Sequence, residues 1–596
     1  MDLTRAAIEK NRITIMALIA VAIGGVLAFQ TLPRARDPGF VVRWAVVTTE
    51  LPGASPERVE QLLTDPLEKA IQEIPELDHV TSVSKTGYSS ITVSIKERYT
   101  GMRPIWDDLR RKMERAAGSL PQGTIGPRVN DDLDDVYGIQ LALIGEGYTY
   151  AELKEVADEV RDQLLHLPDA AKVEINGAQE ERVFVEYDDS RLAEMGVSPM
   201  YLMEVLRSRN IIVPGGEVRT GAERLVLEPT GNFLSVDDLR RTVVSLPGRR
   251  ELIYLEDLAD VRRGYVDPPG MMMRFDGEPC LGLAVAMRDA GNITVLGQQV
   301  RDLVRRLEAT YPIGLELREV YMLPDDVDRK IGDFVSSLLQ SVAIVMVVML
   351  LTLGLRTGLL VATLIPMAML MSVMLMPLVG VGLDQVSLAA LIIALGMLVD
   401  NAIVMSESIM VQIAQGRPPV EAAVNSAREL RVPLLIASLT TSAAFLPIYL
   451  AESMVGEYTR SLFTVTTLTL LCSWLLALTM IPMLCARFIR VKSGSGEGAL
   501  DTPFYRRYRR VLLALLRHRR ATLAAVAVVF VVAMAGFGLV PAIFFPPTDE
   551  ALFVVDYEMP VGTPVETTAA VVDEVDGFVR AELAAGPQGG TGVTSW

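Results

Sequence analysis

Histidine and cysteine are scarce in this chain, and a nucleotide-binding loop is missing from it. Its 596 residues hold only three histidines, His79, His166 and His518. They lie far apart in sequence, so no histidine-based metal site or catalytic triad takes shape. The three cysteines, Cys280, Cys472 and Cys485, make no disulfide framework, and two of them fall in apolar sequence. No GxxxxGK[ST] loop occurs, so ATP has no cradle. If a substrate is moved across a membrane, an ion gradient is then the expected energy source. Positive charge is the scarcer sign, with 56 Lys and Arg against 73 Asp and Glu and a net charge of −17. That balance argues against a nucleic-acid partner. No catalytic constellation emerges, so an enzyme is not expected, and neither is a cofactor.

Apolar sequence is what the chain has in quantity: half of its residues are hydrophobic. Ile13 to Leu32 is long enough to cross a bilayer, which takes roughly 20 apolar residues. Arg5, Lys10 and Arg12 precede it and hold its start on the cytoplasmic side. Pro33 and Arg34 follow in place of a small-residue cleavage site, so the segment reads as an uncleaved anchor. Six further runs follow: Phe334 to Leu353, Leu359 to Val379, Val386 to Val411, Leu434 to Leu450, Phe463 to Phe488 and Ala521 to Leu539. Basic residues collect in alternate connections (Arg356; Arg417, Arg428 and Arg431; Arg487 to Arg520). By the positive-inside rule those loops are cytoplasmic and the long region after the first span lies outside.

One stretch organises the rest. Ala390 to Gln412, ALIIALGMLVDNAIVMSESIMVQ, carries Asp400 and Asn401 near its middle. An acid at that depth costs at least about 2.5–3.5 kcal/mol on insertion scales, so its default reading is functional. A proton or cation relay is expected, with a structural hydrogen-bond role as the alternative. Gly396, Asp400 and Glu407 share one helical stripe with Ile393. Gly396 leaves room for a neighbouring helix. Glu407, a lesser member of the expected relay, is near the end of the apolar run, where the alternative is a side chain that snorkels to the surface.

Residues 34 to about 330 contain no spanning run and alternate strand and helix patterns. Trp44 to Thr49 is β-rich, and Ser55-Pro56 is the expected helix start. Val59, Leu62, Leu63, Leu67, Ala70, Ile71 and Ile74 then recur at helical spacing. Val80 to Val83 and Ile91 to Ile95 read as strands turned at Gly87. This β-α-β-β order suggests a split βαβ, ferredoxin-like unit. A second unit has strand Ile139 to Ile144, helix Ala151 to Leu167 and strand Ala171 to Ile175. It resumes, after an insert, with strand Leu281 to Ala286 and helix Val295 to Thr310. Asp131, Asp132, Asp134 and Asp135 form an acidic run, read as a solvated linker before a cation site. Met271, Met272 and Met273 near Cys280 invite a soft-metal reading, although methionine is also a common gap filler. Phe504 to Leu516, FYRRYRRVLLALL, reads as a helix on the inner membrane surface. Ser493 to Gly496 reads as a flexible linker.

Past the last span the pattern of the first returns. Pro541, Pro560 and Pro564 match Pro33, Pro52 and Pro56 at a single offset of 508 residues, with Thr563 in the place of Ser55. One whole repeat and the opening of a second are expected, as in transporters built from parallel repeats. The second is cut short at Trp596, so the chain reads as incomplete, and the segment after Pro541 is expected to be poorly ordered.

Four stretches together resemble a known family: LPGASPERVE (Leu51 to Glu60), SVSKTGYSSITV (Ser82 to Val93), LPQGTIGP (Leu120 to Pro127) and ALGMLVDNAIVMSE (Ala394 to Glu407). The chain resembles the N-terminal part of a resistance-nodulation-cell-division (RND) efflux permease of the acriflavine-resistance type. The resemblance implies an α+β membrane protein: a helical transmembrane bundle, with seven spans of an expected twelve, and ferredoxin-like periplasmic porter subdomains. Residues 1–33 would hold the first span and 34–135 the first porter subdomain. Residues 136–182 and 274–330 would form the second, with 183–273 inserted as a docking domain. Residues 331–490 would hold spans two to six, 491–520 a cytoplasmic loop, 521–541 the seventh span and 542–596 the start of a second periplasmic repeat. Function, by the same resemblance, is proton-driven export of hydrophobic or amphiphilic small molecules by an inner-membrane homotrimer. Its partners would be a periplasmic adaptor and an outer-membrane channel. Drug-efflux members usually carry two adjacent aspartates where this chain has Asp400-Asn401. Asp400 is then the proton carrier, Asn401 its orienting neighbour, and the lysine that meets the carboxylates is expected beyond Trp596. The alternatives are a heavy-metal exporter of the copper or silver type and a non-transporting membrane scaffold.

Overall fold

A computed structural model describes residues 3–133, 135–209, 217–220, 223–226, 233–245, 252–288, 291–489, 503–541, 552–560, 562–584, 592–593 and 595–596. Asp134 of the acidic run and the Ser493–Gly496 linker lie outside them. Two compact units result, one of residues 1–138, 287–298 and 322–556, the other of residues 139–286, 299–321 and 557–596.

Helix α1 (Asn11–Thr31) leads to the first sheet. In β1 (Trp44–Glu50) every second residue is buried, Ala45, Val47 and Thr49 among them, as a strand with one covered face requires. A helical run, α2 (56–71), follows it, then β2 (Leu77–Lys85), β3 (Tyr88–Ile95), α3 (Arg103–Ala117) and β4 (Ile125–Asn130). The strand order is β2–β3–β1–β4, which is the split βαβ arrangement. Lys85 pairs with Tyr88 across the hairpin, and Gly87 turns it at φ 71°, a conformation glycine adopts without steric cost.

Two details depart from the sequence pattern. Ser55 is extended, with Pro56 at the first helical position, yet its side chain makes no capping bond. Leu62 is 42% exposed while Val59, Leu63 and Leu67 are buried. A π turn at Glu60–Thr64 explains this. It widens the helix, so four-residue spacing keeps Val59, Leu63 and Leu67 on one face and turns Leu62 out. Trp106, Leu109 and Met113 of α3 complete the core over Val47, Ile91 and Val93. Each such side chain contributes about 1.5–3 kcal/mol when fully buried.

A second four-stranded sheet repeats the topology. β5 (Ile139–Gly145), α4 (Tyr150–Leu165), β6 (Ala170–Asn176), β7 (Leu281–Met287), α5 (Ile293–Glu308) and β8 (Leu315–Met322) follow in order. The strands lie β8–β5–β7–β6, the first sheet's order again. Thr149 and Glu152 form a reciprocal capping box that starts α4. The insert begins and ends in one antiparallel pair, Glu181–Tyr187 with Ala259–Tyr265. It has its own cluster of Leu192, Leu202, Val244, Leu255 and Val261.

Among the described residues, six helices are long and apolar enough to cross a membrane. They are α1 together with α6 (Leu323–Leu353), α7 (Leu355–Leu375), α8 (Gln385–Ala414), α10 (Met454–Phe488) and α12 (Arg519–Gly536). The expected fifth span, Leu434 to Leu450, is not a single apolar helix. It falls on α9 (Pro419–Ala443), which begins with charged turns, and on a short helix Leu446–Tyr449. Past Ala443 the backbone bonds tighten to three-residue spacing, Ala444 to Thr441 and Phe445 to Ser442, and the α-helix ends. Helix α11 (Pro503–Arg517) precedes α12, and α13 (Val565–Phe578) follows it. The opening helix expected after Pro541 is present. It starts one residue beyond Pro564 rather than at a Thr563 cap. Asp573 pairs with Arg274, and Arg580 donates to the carbonyl of Asp276 at 2.8 Å.

Close approach inside the bundle relies on small residues. A Cβ added at Gly25 of α1 would stand 2.5 Å from the Leu370 carbonyl oxygen of α7. The first sheet is tied to α10 by a buried ion pair. The Arg43 side chain, 4% exposed, forms two bonds with the Glu457 carboxylate, one of them at 3.1 Å. Its Nε also donates to the Tyr99 carbonyl at 2.8 Å, and the Val41 N–H donates to Glu457 at 3.2 Å. Glu457→Ala is therefore expected to cost about 3–5 kcal/mol, because it strands a buried guanidinium. Arg43→Met combined with Glu457→Leu should recover most of that loss. Thermal unfolding in detergent checks both, and a double variant no more stable than Glu457→Ala would contradict the ion-pair account.

Candidate functional site

Helix α8 starts at Asp384, whose Oδ1 accepts from the N–H groups of Val386 and Ser387 at 2.9 and 2.7 Å. Burial pushes the Asp384 carboxyl up to about 6; those two hydrogen bonds oppose the shift, and the nearby Asp37 charge adds to it. From there the helix presents two unlike faces. Ala390, Ala394, Leu398, Ala402, Met405 and Ile409 are buried, at the three- and four-residue spacing of one helical stripe. Ile393, Gly396, Asp400, Val404, Glu407 and Val411 are exposed.

Asp400 opens into a cleft of about 220 Å³. Ile344, Val345, Val348 and Met349 of α6 form one wall, and Gly396, Val399 and Ile403 of α8 the other. Apart from its carboxylate this lining is apolar. Among the described residues, no cation and no hydrogen-bond donor meets Asp400. A Cβ added at Gly396 would find nothing within 4 Å, so the space expected beside the acid is open. Glu407 is exposed as well. Seven residues of helix put it about 10 Å further along the axis.

Asn401 faces elsewhere. It is 4% exposed, and its Nδ2 donates to Ser438 Oγ of α9 and Ser473 Oγ of α10, both at 3.3 Å. Ser473 in turn donates to the Leu398 carbonyl at 3.0 Å. The expected bond from Asn401 to Asp400 does not form. Consecutive residues on a helix point about 100° apart and do not face one another. Asn401 joins three helices, and Asp400 stands alone on the far side. Ser438 and Ser473 were not singled out in the sequence; their signal is a small hydroxyl within an otherwise apolar run. Arg43 and Glu457 escaped notice as well, since 414 residues separate them.

The other candidate groups do not come together. Asp131 pairs with Arg110. Met271 and Met272 are exposed, whereas Met273 packs against a cluster holding Cys280, Phe275 and Ala142. Burial raises the Cys280 thiol to about 11, so it stays protonated at neutral pH and offers no thiolate.

The model of the AcrB/AcrD/AcrF family matches residues 3–585. The chain belongs to the AcrB/AcrD/AcrF family. Its members are RND efflux permeases. Among relatives, the cation efflux system protein CzcA of Alcaligenes sp. (strain CT14) is 28% identical over 554 residues, covering 89% of this chain and 52% of the relative. Multidrug resistance protein MdtC of Photorhabdus laumondii is 25% identical, covering 91% of this chain and 53% of its own length. Protein HelA of Legionella pneumophila is 25% identical, covering 97% and 56%. The chain thus spans about half the length of the curated relatives it matches. For this member of the AcrB/AcrD/AcrF family, the acid within a span and its open cleft are the site to explain.

Two outcomes follow from the geometry. Asn401→Leu should lower stability by about 1 kcal/mol, the scale of interhelical hydrogen bonds in membranes. Asp400→Asn should not lower stability, since Asp400 contacts no partner and the substitution relieves the cost of an acid within a span; the opposite order of melting temperatures would refute this division of roles. Asp384, with its raised value, favours the protonated folded state. Its contribution is full below about pH 4 and lost as pH rises through about 6, a change of roughly 3 kcal/mol. Asp384→Asn keeps a good helix cap and should flatten that part of a stability-against-pH curve. A wild-type curve already flat across the window would show the carboxyl to be unshifted.

Proposed function

We propose that the chain forms the N-terminal half of the working unit of a proton-driven RND efflux transporter in the inner membrane, with Asp400 as the proton carrier. The observation that supports this is the solitary carboxylate in an apolar cleft between two membrane-crossing helices. Nothing in the described surroundings neutralises it, and an ionised acid in hydrocarbon is costly. Taking up a proton removes that cost, and a cation arriving from another helix would do the same. Alternation between those two ways of neutralising one charge is a coupling device. Each charge moved across the membrane is worth about 2.3 kcal/mol per 100 mV. Asn401 belongs to the scaffold that holds α8 against α9 and α10, and Glu407 carries no part of the relay.

On this reading, the two split βαβ sheets and the insert are periplasmic. They serve as porter subdomains and a docking domain for a homotrimer with its adaptor and outer-membrane channel. Substrates are hydrophobic or amphiphilic compounds, in keeping with the similarity to a multidrug resistance protein. A second reading, export of metal cations, draws on the similarity to a cation efflux protein. Comparing a deletion strain's sensitivity to detergents and dyes with its sensitivity to cobalt, zinc, cadmium and copper salts separates the two.

In the transporter expressed from its natural gene, Asp400→Asn and Asp400→Ala should abolish efflux while membrane insertion stays normal. Glu407→Gln should retain most activity. Full resistance from a normally expressed Asp400→Asn transporter would remove Asp400 from the mechanism and leave a scaffold role.

A further inference from the structure

The strap that leads from α1 to the first sheet is stitched, at its opening, to the start of α8. Arg34 bridges Leu383 in parallel. The Leu383 N–H donates to the Pro33 carbonyl at 2.9 Å, the Ala35 N–H to the Leu383 carbonyl at 3.2 Å, and the Gln385 N–H to the Arg36 carbonyl at 3.1 Å. A Cβ added at Gly382 would stand 3.0 Å from the Pro33 carbonyl oxygen, so the two segments lie in close contact. The next strap residue, Asp37, accepts from the Tyr458 hydroxyl of α10 at 2.7 Å. Asp384 sits between the two α8 residues that carry the stitch and is 7% exposed. Charged and titratable groups approach this place from each neighbouring element. On the strap, Arg36 Nε lies 3.5 Å from the Asp37 carboxylate. Lys330 of α6 donates to the Gln385 side chain at 3.0 Å. Arg34 pairs with Asp328 of α6 at 3.7 Å, and Glu457 of α10 with Arg43. Among the described residues no cation pairs with Asp384. Burial, and then the Asp37 charge, oppose its ionisation.

We propose that Asp384 works as a proton-operated latch: neutral, it holds the strap from α1 against the start of α8, and charged, it lets the strap open. Closure takes the carboxyl out of water and brings it toward a second acid, and both disfavour its charged form. An open strap hydrates Asp384 and relieves both effects. The closed state therefore binds the proton more tightly than the open one. Its advantage is full below about pH 4, falls as pH rises through about 6, and is level above that. The basic connections put this end of α8 outside, so acid on the outer side closes the latch. The strap joins a membrane-crossing helix to the first sheet, and α8 carries Asp400. Outer pH thus sets whether the entry to the sheet and that helix move as one. The inference rests on the membrane orientation alone, not on transport.

The test is hydrogen–deuterium exchange of the whole 596-residue chain in lipid nanodiscs, read amide by amide by mass spectrometry. Each rate is divided by the intrinsic rate at the same pH. Protection of the Ala35, Leu383 and Gln385 amides should fall about twenty-five-fold between about pH 4.5 and about pH 7.5. Asp384→Asn keeps the helix cap and should hold that protection at one level throughout. Tyr458→Phe removes the bond to Asp37 and should lower protection at every pH while the fall remains. Flat protection in the wild type overturns the proposal, and so does a fall that survives Asp384→Asn. A fall shared equally by the amides of β1 would mean that the whole unit loosens, which overturns a local latch as well. None of these readouts needs substrate or a proton gradient, so a failure here is distinct from a failure of the transport reading.

Discussion

An acid on a helix that crosses hydrocarbon has to be either neutral or matched, and much of the bundle can be understood from that requirement. Insertion of Asp400 costs at least about 2.5–3.5 kcal/mol, so something must hold α8 in place while its open face stays available. The opposite face does this with small residues and interhelical hydrogen bonds. Ala390, Ala394 and Ala402 let backbones approach, and Asn401, Ser438 and Ser473 lock three helices at one level. Two adjacent residues thereby divide the work. One anchors, and the other faces the open cleft.

That division was half legible in the chain. Asp400 stands out because composition alone makes a mid-span carboxylate expensive, and its stripe with Gly396 and Glu407 follows from helical geometry. The partners of Asn401 were not legible. Ser438 and Ser473 lie 37 and 72 residues away, and nothing in a hydropathy pattern says which helix faces which. The expectation that Asn401 orients Asp400 came from their adjacency in sequence, which on a helix means different faces. Helix ends tell the same story. The span at Leu434 to Leu450 reads as continuous by hydropathy, yet its helix ends at Ala443 and a short one follows at Leu446–Tyr449. Leu62 fits a regular helix on paper and is turned out by a π turn that only the packing reveals.

The soluble sheets were easier to read, since period-two burial and a turn glycine are local signals. Strand order was not local, but split βαβ topology offers few alternatives once a β-α-β-β run is recognised. Helix α3 was overlooked because its apolar positions, Ile105, Trp106, Leu109 and Met113, are diluted by charge. It still supplies Trp106, one of the largest side chains of that core.

Helix α10 joins these observations. It runs unbroken from Met454 to Phe488, with Ser473 on the Asn401 network and Glu457 locked to Arg43 at the edge of the first sheet. Sixteen residues of helix separate those points by about 24 Å. A helix of that length resists stretching far more than it resists tilting, because its hydrogen bonds run along its axis. A shift of α8 that preserves the bond from Ser473 to Leu398 must then carry α10 with it and appear at Arg43. One that breaks the bond strands polar groups in an apolar bundle. The buried ion pair at the other end is costlier still to break, so a motion that keeps both contacts moves α8, α10 and the start of β1 together. Helix α10 thus joins the first sheet, through Arg43 and Glu457, to the face of α8 opposite the acid.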